Sequence, residues 1–191
     1  MIWFTSDTHF GHKNIIKYCE RPFKSIEHMN FIMTLNWNNL VKPKDTVWHL
    51  GDFCLGSPKM AREYFSKLNG RINILANRFH HDSSWLPSSN NNTKFRTNTG
   101  LVRFFEPISV IDINLFNGDK YPKSIVMCHY PIQVWDRKHY KSWHLYGHIH
   151  NTGFTVENGV LSMNVGVDSN NYCPVSLEHI IRKFSVLEKT L

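Results

Sequence analysis

The sequence has no apolar run near the roughly 18 residues that a membrane-spanning helix needs. Its first apolar stretch stops at Asp7, with no basic segment before it. Neither a secretory leader nor a membrane anchor is expected, and the expected location is cytoplasmic. Cysteine is scarce: Cys19, Cys54, Cys128 and Cys173 are far apart and form no CxxC pair. That excludes a zinc ribbon or a disulfide scaffold and suggests reduced, mostly buried thiols. Internal repeats, linkers and long low-complexity tracts are missing too, so the 191 residues, 41% of them hydrophobic, read as one domain over residues 1–191 with a proper core. Acidic residues are few, 15 against 22 Lys and Arg, for a net charge of +7. The surplus suits an anionic substrate or nucleic acid, because a positive field raises the encounter rate with phosphates. It suits a merely basic surface equally well.

What is present is one arrangement, repeated. Ile2-Trp3-Phe4-Thr5 reads as a buried strand that opens into Ser6-Asp7-Thr8-His9. Thr46-Val47-Trp48-His49-Leu50 runs into Gly51-Asp52, and Ile72-Asn73-Ile74-Leu75-Ala76 into Asn77-Arg78-Phe79-His80-His81-Asp82. Ser124-Ile125-Val126-Met127-Cys128 delivers His129, and Trp143-His144-Leu145-Tyr146 delivers Gly147-His148-Ile149-His150. In open α/β sheets, ligands bind beyond the carboxyl ends of the strands. A single Asp after a strand is ordinarily a turn residue or a helix cap. Five strand ends that each carry Asp, Asn or His have a simpler common cause in a metal site, and oxygen plus imidazole suits Mn, Fe, Zn or Ni.

Between these strands, residues 14–19 read as a short helix, and Ser25 as the N-cap of a helix to about Leu40 with Met29, Ile32, Met33 and Leu40 inward. Ser57-Pro58 opens the next helix and Gly70 closes it. Strand and helix alternate, as in βαβ units of a largely parallel sheet. Residues 77–99 read as a long polar loop, a flap carrying His80, His81, Lys94 and Arg96, with the run Asn90-Asn91-Asn92 as a surface excursion. The second half turns to hairpins: Asn117-Gly118 follows Ile113-Asn114-Leu115-Phe116, and Asn158-Gly159 separates two further strands. Ser176 reads as the cap of a short last helix through Ile181. The expected fold is a four-layer α/β/β/α sandwich of two mixed sheets flanked by helices.

Asp7-x-His9, Gly51-Asp52, Asn77, His129 and Gly147-His148-Ile149-His150, in this order, resemble the calcineurin-like metallophosphoesterase superfamily, in particular its small members without a cap domain. The tail Asn164-Val165-Gly166-Val167-Asp168 is similar to those members as well. The resemblance implies two divalent metal ions, Mn²⁺ first, with Fe, Zn, Ni or Mg as alternatives. Asp7, His9 and His150 would hold one, Asn77, His129 and His148 the other, and Asp52 would bridge them. It further implies hydrolysis of a phosphodiester, or of a phosphomonoester, by a hydroxide held between the metals. The chain departs from the pattern at Ala76-Asn77-Arg78-Phe79, where the family has Gly-Asn-His and an acidic residue. The general acid would then be His80 or His81, with Arg78 on the phosphoryl oxygens. His12 would orient the first ligands. Residues 133–141, basic and aromatic, read either as a substrate contact able to stack bases or as an amphipathic surface turn. A nuclease acting on DNA or RNA and a non-catalytic protein-binding scaffold are the competing readings. No membrane partner is expected.

Overall fold

The computed structural model describes residues 1–76, 78–87, 94–113, 123–150, 154–157 and 160–188. β1 (Ile2–Thr5) is followed by a single helical turn, α1 (Ile15–Tyr18), and by the long helix α2 (Ile26–Leu40). Ser25 caps α2 by accepting from the His28 amide at 3.2 Å, as its sequence position suggests. Met29, Met33 and Trp37, spaced four apart, form its buried face. Leu40, expected inside, is exposed: it shares the face of 29, 33 and 37 but ends the helix, and the next residue, Val41, takes the place in the core. β2 (Thr46–His49), α3 (Pro58–Lys67) and β3 (Arg71–Leu75) follow, with Ser57 capping α3 through the Met60 amide.

β4 (Val102–Phe105) and β5 (Ile108–Ile113) escape the sequence reading, and the strand expected at 113–116 ends at Ile113 within the described residues. β6 (Lys123–Cys128), β7 (Trp143–Tyr146), β8 (Phe154–Glu157), β9 (Val160–Asn164) and the two-residue β10 (Val175–Ser176) complete the strands. Both Asn-Gly turns lie outside the described residues, but the strands flanking them pair antiparallel, Ile113 with Lys123 and Glu157 with Val160. The last helix, α4 (Leu177–Glu188), carries on past Ile181. Ile180 and Phe184 are both fully buried, and Phe184 meets the Trp143 ring edge-on at 4.9 Å.

The strands make two mixed sheets with flanking helices, ordered β10-β1-β2-β3-β4 and β5-β6-β7-β9-β8. In the first, β1 to β4 are parallel and β10 runs against β1. In the second, β6, β7 and β9 are parallel. Alternation along each strand divides the core. Trp3, Val47, Ile72 and Ile74 pack against α2 and α3, while Phe4, Trp48 and Leu75 face Ile125, Met127, Trp143, Leu145 and Met163 of the second sheet. Among the described residues no helix is long and apolar enough to cross a membrane. The four cysteines are unpaired: Cys54 and Cys128 are buried, Cys19 and Cys173 half-buried.

The described residues of 77–99 are not a flap throughout. Trp85, Leu86 and Phe95 belong to the core beside α3, and Trp85 lies edge-on to Phe53 and Phe65. Three large apolar groups within a polar stretch gain more by burial than by hovering over solvent. The Asn90-Asn91-Asn92 run and Asn77 itself lie outside the described residues.

Candidate metal centre

The parallel strands of both sheets end on one side, and their trailing loops are hydrogen-bonded to each other. The Asp7 amide donates to Gly51 O at 3.0 Å, and the His9 amide to Asp52 O at 2.9 Å. The second sheet joins through Ser6 and Gly166, where the Val167 amide donates to Ser6 O at 3.1 Å. Asp7, His9, Asp52 and His148 all have positive φ, from 51° to 70°. Non-glycine residues there are strained, and such strain persists where surrounding structure over-determines it. Gly147 is required by close approach: a Cβ would fall on Asp7 Oδ2 and Ser6 Oγ. Its place lets the His148 amide donate to the Asp7 carboxylate at 3.0 Å.

Four of the expected ligands converge at the bottom of this loop cluster. His9 Nε2 lies 3.5 Å from Asp52 Oδ2 and 4.0 Å from Asp7 Oδ1, and His129 Nε2 lies 3.7 and 3.9 Å from the same two carboxylates. These spacings are too long for hydrogen bonds. His9 Nε2, His129 Nε2 and Asp52 Oδ1 are buried without a hydrogen-bond partner among the described residues. Buried polar atoms in native proteins nearly always have one, and donor atoms gathered this way are able to hold a cation. Asp7, His9 and His150 form one group able to hold an ion, Asp7, Asp52 and His129 another, and His80, His129 and His148 a third.

The supporting contacts fix orientation. His150 Nδ1 meets Asp168 Oδ2 at 2.7 Å, leaving Nε2 for a metal. Arg21, fully buried, forks onto Asp168 with Nε to Oδ1 at 2.8 Å and Nη2 to Oδ2 at 2.7 Å, and donates to the Asp7 and Thr8 carbonyls. His49 Nδ1 accepts from the Gly51 amide, so its Nε2 carries the proton and donates to Thr8 Oγ1 at 3.0 Å. His12 Nδ1 lies 3.4 Å from His9 Nδ1, in reach of a positioning role. Asp82 accepts from the Phe53 and Cys54 amides and from Trp85 Nε1, tying the His80–His81 segment to the Asp52 loop.

His80 and His81 diverge. His80 Nδ1 is 3.8 Å from Asp52 Oδ1 and its ring is 4.3 Å from that of His129. The His81 ring is 5.1 Å from His9 and 5.0 Å from His12. Arg78 is not brought to the cluster: its exposed guanidinium donates to the Pro87 carbonyl at 2.6 Å. In residues 133–141, Arg137 bonds Ser124 and Lys138 bonds the Gln133 carbonyl over the Trp135 ring, so these cations are engaged within the chain. Sequence reasoning missed Arg21, and it quoted Asp168 and Asp82 without a role for either.

Burial governs the electrostatics. It raises the Asp52 carboxyl, helped by the Asp7 and Asp82 charges, to about 8. Burial also lowers His129 to about 3, with His148 adding to it, and His80 to about 4, with His129 adding. For Asp168 burial works upward, but the His150 and Arg21 hydrogen bonds and charges outweigh it and hold the carboxyl low. Two opposed pH effects follow for the metal-free protein. Unfolded histidines protonate near pH 6.5, so stability is lost as pH falls from there through the low folded values. An unfolded Asp ionises near pH 4, so Asp52 removes stability as pH rises from there towards 8. Metal-free protein should be most stable near pH 6.5 and lose on the order of 1 kcal/mol by pH 8. A divalent cation that keeps Asp52 ionised should remove Asp52's share of the alkaline loss and leave that of Asp82, which burial raises to about 7. Urea midpoints at pH 6.5 and 8, with EDTA and with Mn²⁺, test this; equal midpoints in EDTA would count against a raised Asp52.

No family model matches the chain. An uncharacterized protein of Methanocaldococcus jannaschii, MJ1445, is 35% identical over 187 residues, spanning 95% of this chain and 89% of the relative. Among solved structures, a protein of unknown function from Aquifex aeolicus, AQ665, superposes with a TM-score of 0.63 at 22% identity, over 96% of this chain and 98% of that one. That agreement extends the fold to the Aquifex protein. An archaeal phosphodiesterase aligns over 86% of this chain and 82% of its own, with a TM-score of 0.44 at 20% identity. A Vps29 protein of Entamoeba histolytica aligns over 85% and 72%, with a TM-score of 0.42 at 15% identity.

Proposed function

The chain belongs to the same family as the uncharacterized Methanocaldococcus jannaschii protein, and we propose that it is a metal-dependent phosphoesterase of the calcineurin-like type, acting on phosphodiesters. The observation that carries this reading is the set of buried donor atoms, His9 Nε2, His129 Nε2 and Asp52 Oδ1, that face one another with no hydrogen bond among the described residues. A non-catalytic scaffold has no use for them, since each unpaired buried polar atom costs about 1–3 kcal/mol.

Asp7, His9 and His150 would hold one divalent ion and His129 and His148 a second, with Asp52 between them and Asn77 added by the resemblance. Such ions supply Lewis acidity towards a phosphoryl oxygen and an activated water. The chain's own residues do the rest. Arg21 and Asp168 hold His150 in one tautomer, Gly147 lets the His148 amide reach the Asp7 carboxylate, and one of the two imidazoles bordering the cluster, His80 or His81, would return a proton to the leaving oxygen.

A diester is favoured over a monoester because Arg21 is committed to Asp168 and Arg78 is placed at the Pro87 carbonyl and not at the cluster. A dianionic terminal phosphate would find neither guanidinium available, whereas a monoanionic diester needs less charge around it. The narrower nuclease form draws little support from residues 133–141, whose Arg137 and Lys138 bond within the chain.

The test is hydrolysis of bis-p-nitrophenyl phosphate by metal-free protein reconstituted with Mn²⁺. Turnover is expected, abolished by EDTA and faster than with p-nitrophenyl phosphate. Absence of turnover with Mn²⁺, Ni²⁺, Zn²⁺ and Fe²⁺ alike would hand the case to the scaffold.

A further inference from the structure

The geometry points to His80 as a protein ligand of the second cation, beside His129 and His148, and not as the proton donor. This rests on reading the cluster as a cation site, and it adds a ligand that the family resemblance does not provide. His80, His129 and His148 each bring a ring nitrogen within 4.8 Å of the others. Their rings meet edge-on and not stacked, at 64°, 69° and 65°, with centroids 4.3, 5.6 and 5.2 Å apart. Rings set at these angles leave room for one nitrogen of each to turn to a shared point, as the donor-atom spacing shows, which face-to-face stacking would not. His80 Nε2 is buried and without a hydrogen-bond partner among the described residues, in the same condition as His9 Nε2 and His129 Nε2. A group that hands protons to a leaving oxygen needs access from the substrate side, and a sealed lone pair lacks it.

The segment is also built to hold His80 still. Two residues on, the Asp82 carboxylate takes the amides of Phe53 at 2.9 Å and Cys54 at 3.2 Å and the Trp85 indole N–H at 3.0 Å. Phe53 and Cys54 directly follow Asp52, so the His80 loop and the Asp52 loop are fastened together. That is the outer support a metal ligand needs. The sequence departure then has a cause: two residues, Arg78 and Phe79, stand between Asn77 and the next histidine, and this spacing brings His80 back against His129. Three imidazoles select Zn²⁺, Co²⁺ or Ni²⁺ over Mg²⁺. His81, the exposed member of the pair on the His9 and His12 side, is left for the proton.

Co²⁺ titration of the metal-free full chain, followed by equilibrium dialysis and visible absorption, tests the assignment. Wild type should take up two ions. His80→Ala should bind the first normally and the second at least about 10-fold more weakly. His80→Asp, which keeps a ligand atom, should recover the second ion with an altered spectrum, and His81→Ala should keep both ions. Two ions bound by His80→Ala with wild-type affinity and spectrum would overturn the proposal. Should that variant fail to fold, a crystal structure of the Zn²⁺-loaded wild type decides: a His80 nitrogen about 2.0–2.1 Å from an ion supports it, and a His80 nitrogen beyond ligand distance of both ions overturns it. The outcomes separate this assignment from the phosphoesterase reading. A wild type that binds no Co²⁺ sinks both, and one that binds two ions through His80 without hydrolysing a diester sinks only the activity.

Discussion

Asp52→Asn should lower kcat/KM for bis-p-nitrophenyl phosphate by about 10³-fold or more, the several kcal/mol of transition-state stabilisation that a metal pair supplies. Asp52 faces His9 and His129 through Oδ2 and His80 through Oδ1, so no other carboxylate in the cluster touches so many of the nitrogens. Asn removes the charge and keeps the shape. It also tolerates the left-handed backbone at this position, φ 54°, better than Ala, so strain does not confuse the outcome. Stability should move the other way. Burial and two neighbouring carboxylates make an ionised Asp52 costly in the metal-free protein, and the neutral amide escapes that cost. At pH 8 in EDTA the variant should unfold at higher urea than wild type, while Mn²⁺ stabilises wild type more than it does the variant. A variant that keeps wild-type hydrolysis would remove Asp52 from the site, and with it the assignment of this cluster as the place where the diester is cleaved.

Much of this centre is local in the sequence, which is why it could be read. Asp7, Asp52, His129 and His148 each stand just past a short apolar run, and strand period and strand ending are properties of a few consecutive residues. The same holds for the caps Ser25 and Ser57, whose side chains accept from amides three positions on. The misread parts depend on partners far along the chain. Trp85, Leu86 and Phe95 looked like members of a polar loop because what buries them comes from α3 and the loop after β2. β4 goes unnoticed beside its own sequence neighbours, and becomes a strand by pairing with β3, Ile74 against Phe104. The last helix outran its expected end because Phe184 finds Trp143. Asp82 shows how a residue can be visible and still unassigned. Its carboxylate has a plain place in the motif, but its role is set by the Phe53 and Cys54 amides some thirty residues away.

Arg21 is the extreme case, and Arg21→Ala should destabilise the protein by about 3–5 kcal/mol. Nothing near it in the sequence calls for a cation. Its partner, Asp168, is 147 positions away, and only folding joins them. The side chain is fully buried, with four donor contacts to Asp168, Thr8 O and Asp7 O. Truncation would strand a buried carboxylate and two carbonyls at once. The loss of charge is the larger part, since removing one member of a buried ion pair costs more than the pair ever contributed. Arg21→Lys should recover only part, because an ammonium cannot fork onto both carboxylate oxygens. Arg21→Met combined with Asp168→Asn should be less damaged than Arg21→Ala alone, since no uncompensated charge remains. Urea unfolding of the four proteins measures this, and a loss under 1 kcal/mol in Arg21→Ala would refute the account. The same substitution frees the Asp168 carboxyl to rise and loosens its hold on His150 Nδ1, so Co²⁺ should bind the first position about 10–100-fold more weakly. If stability falls as expected while Co²⁺ affinity is unchanged, Arg21 supports the fold alone, and Asp168 orients His150 without its help.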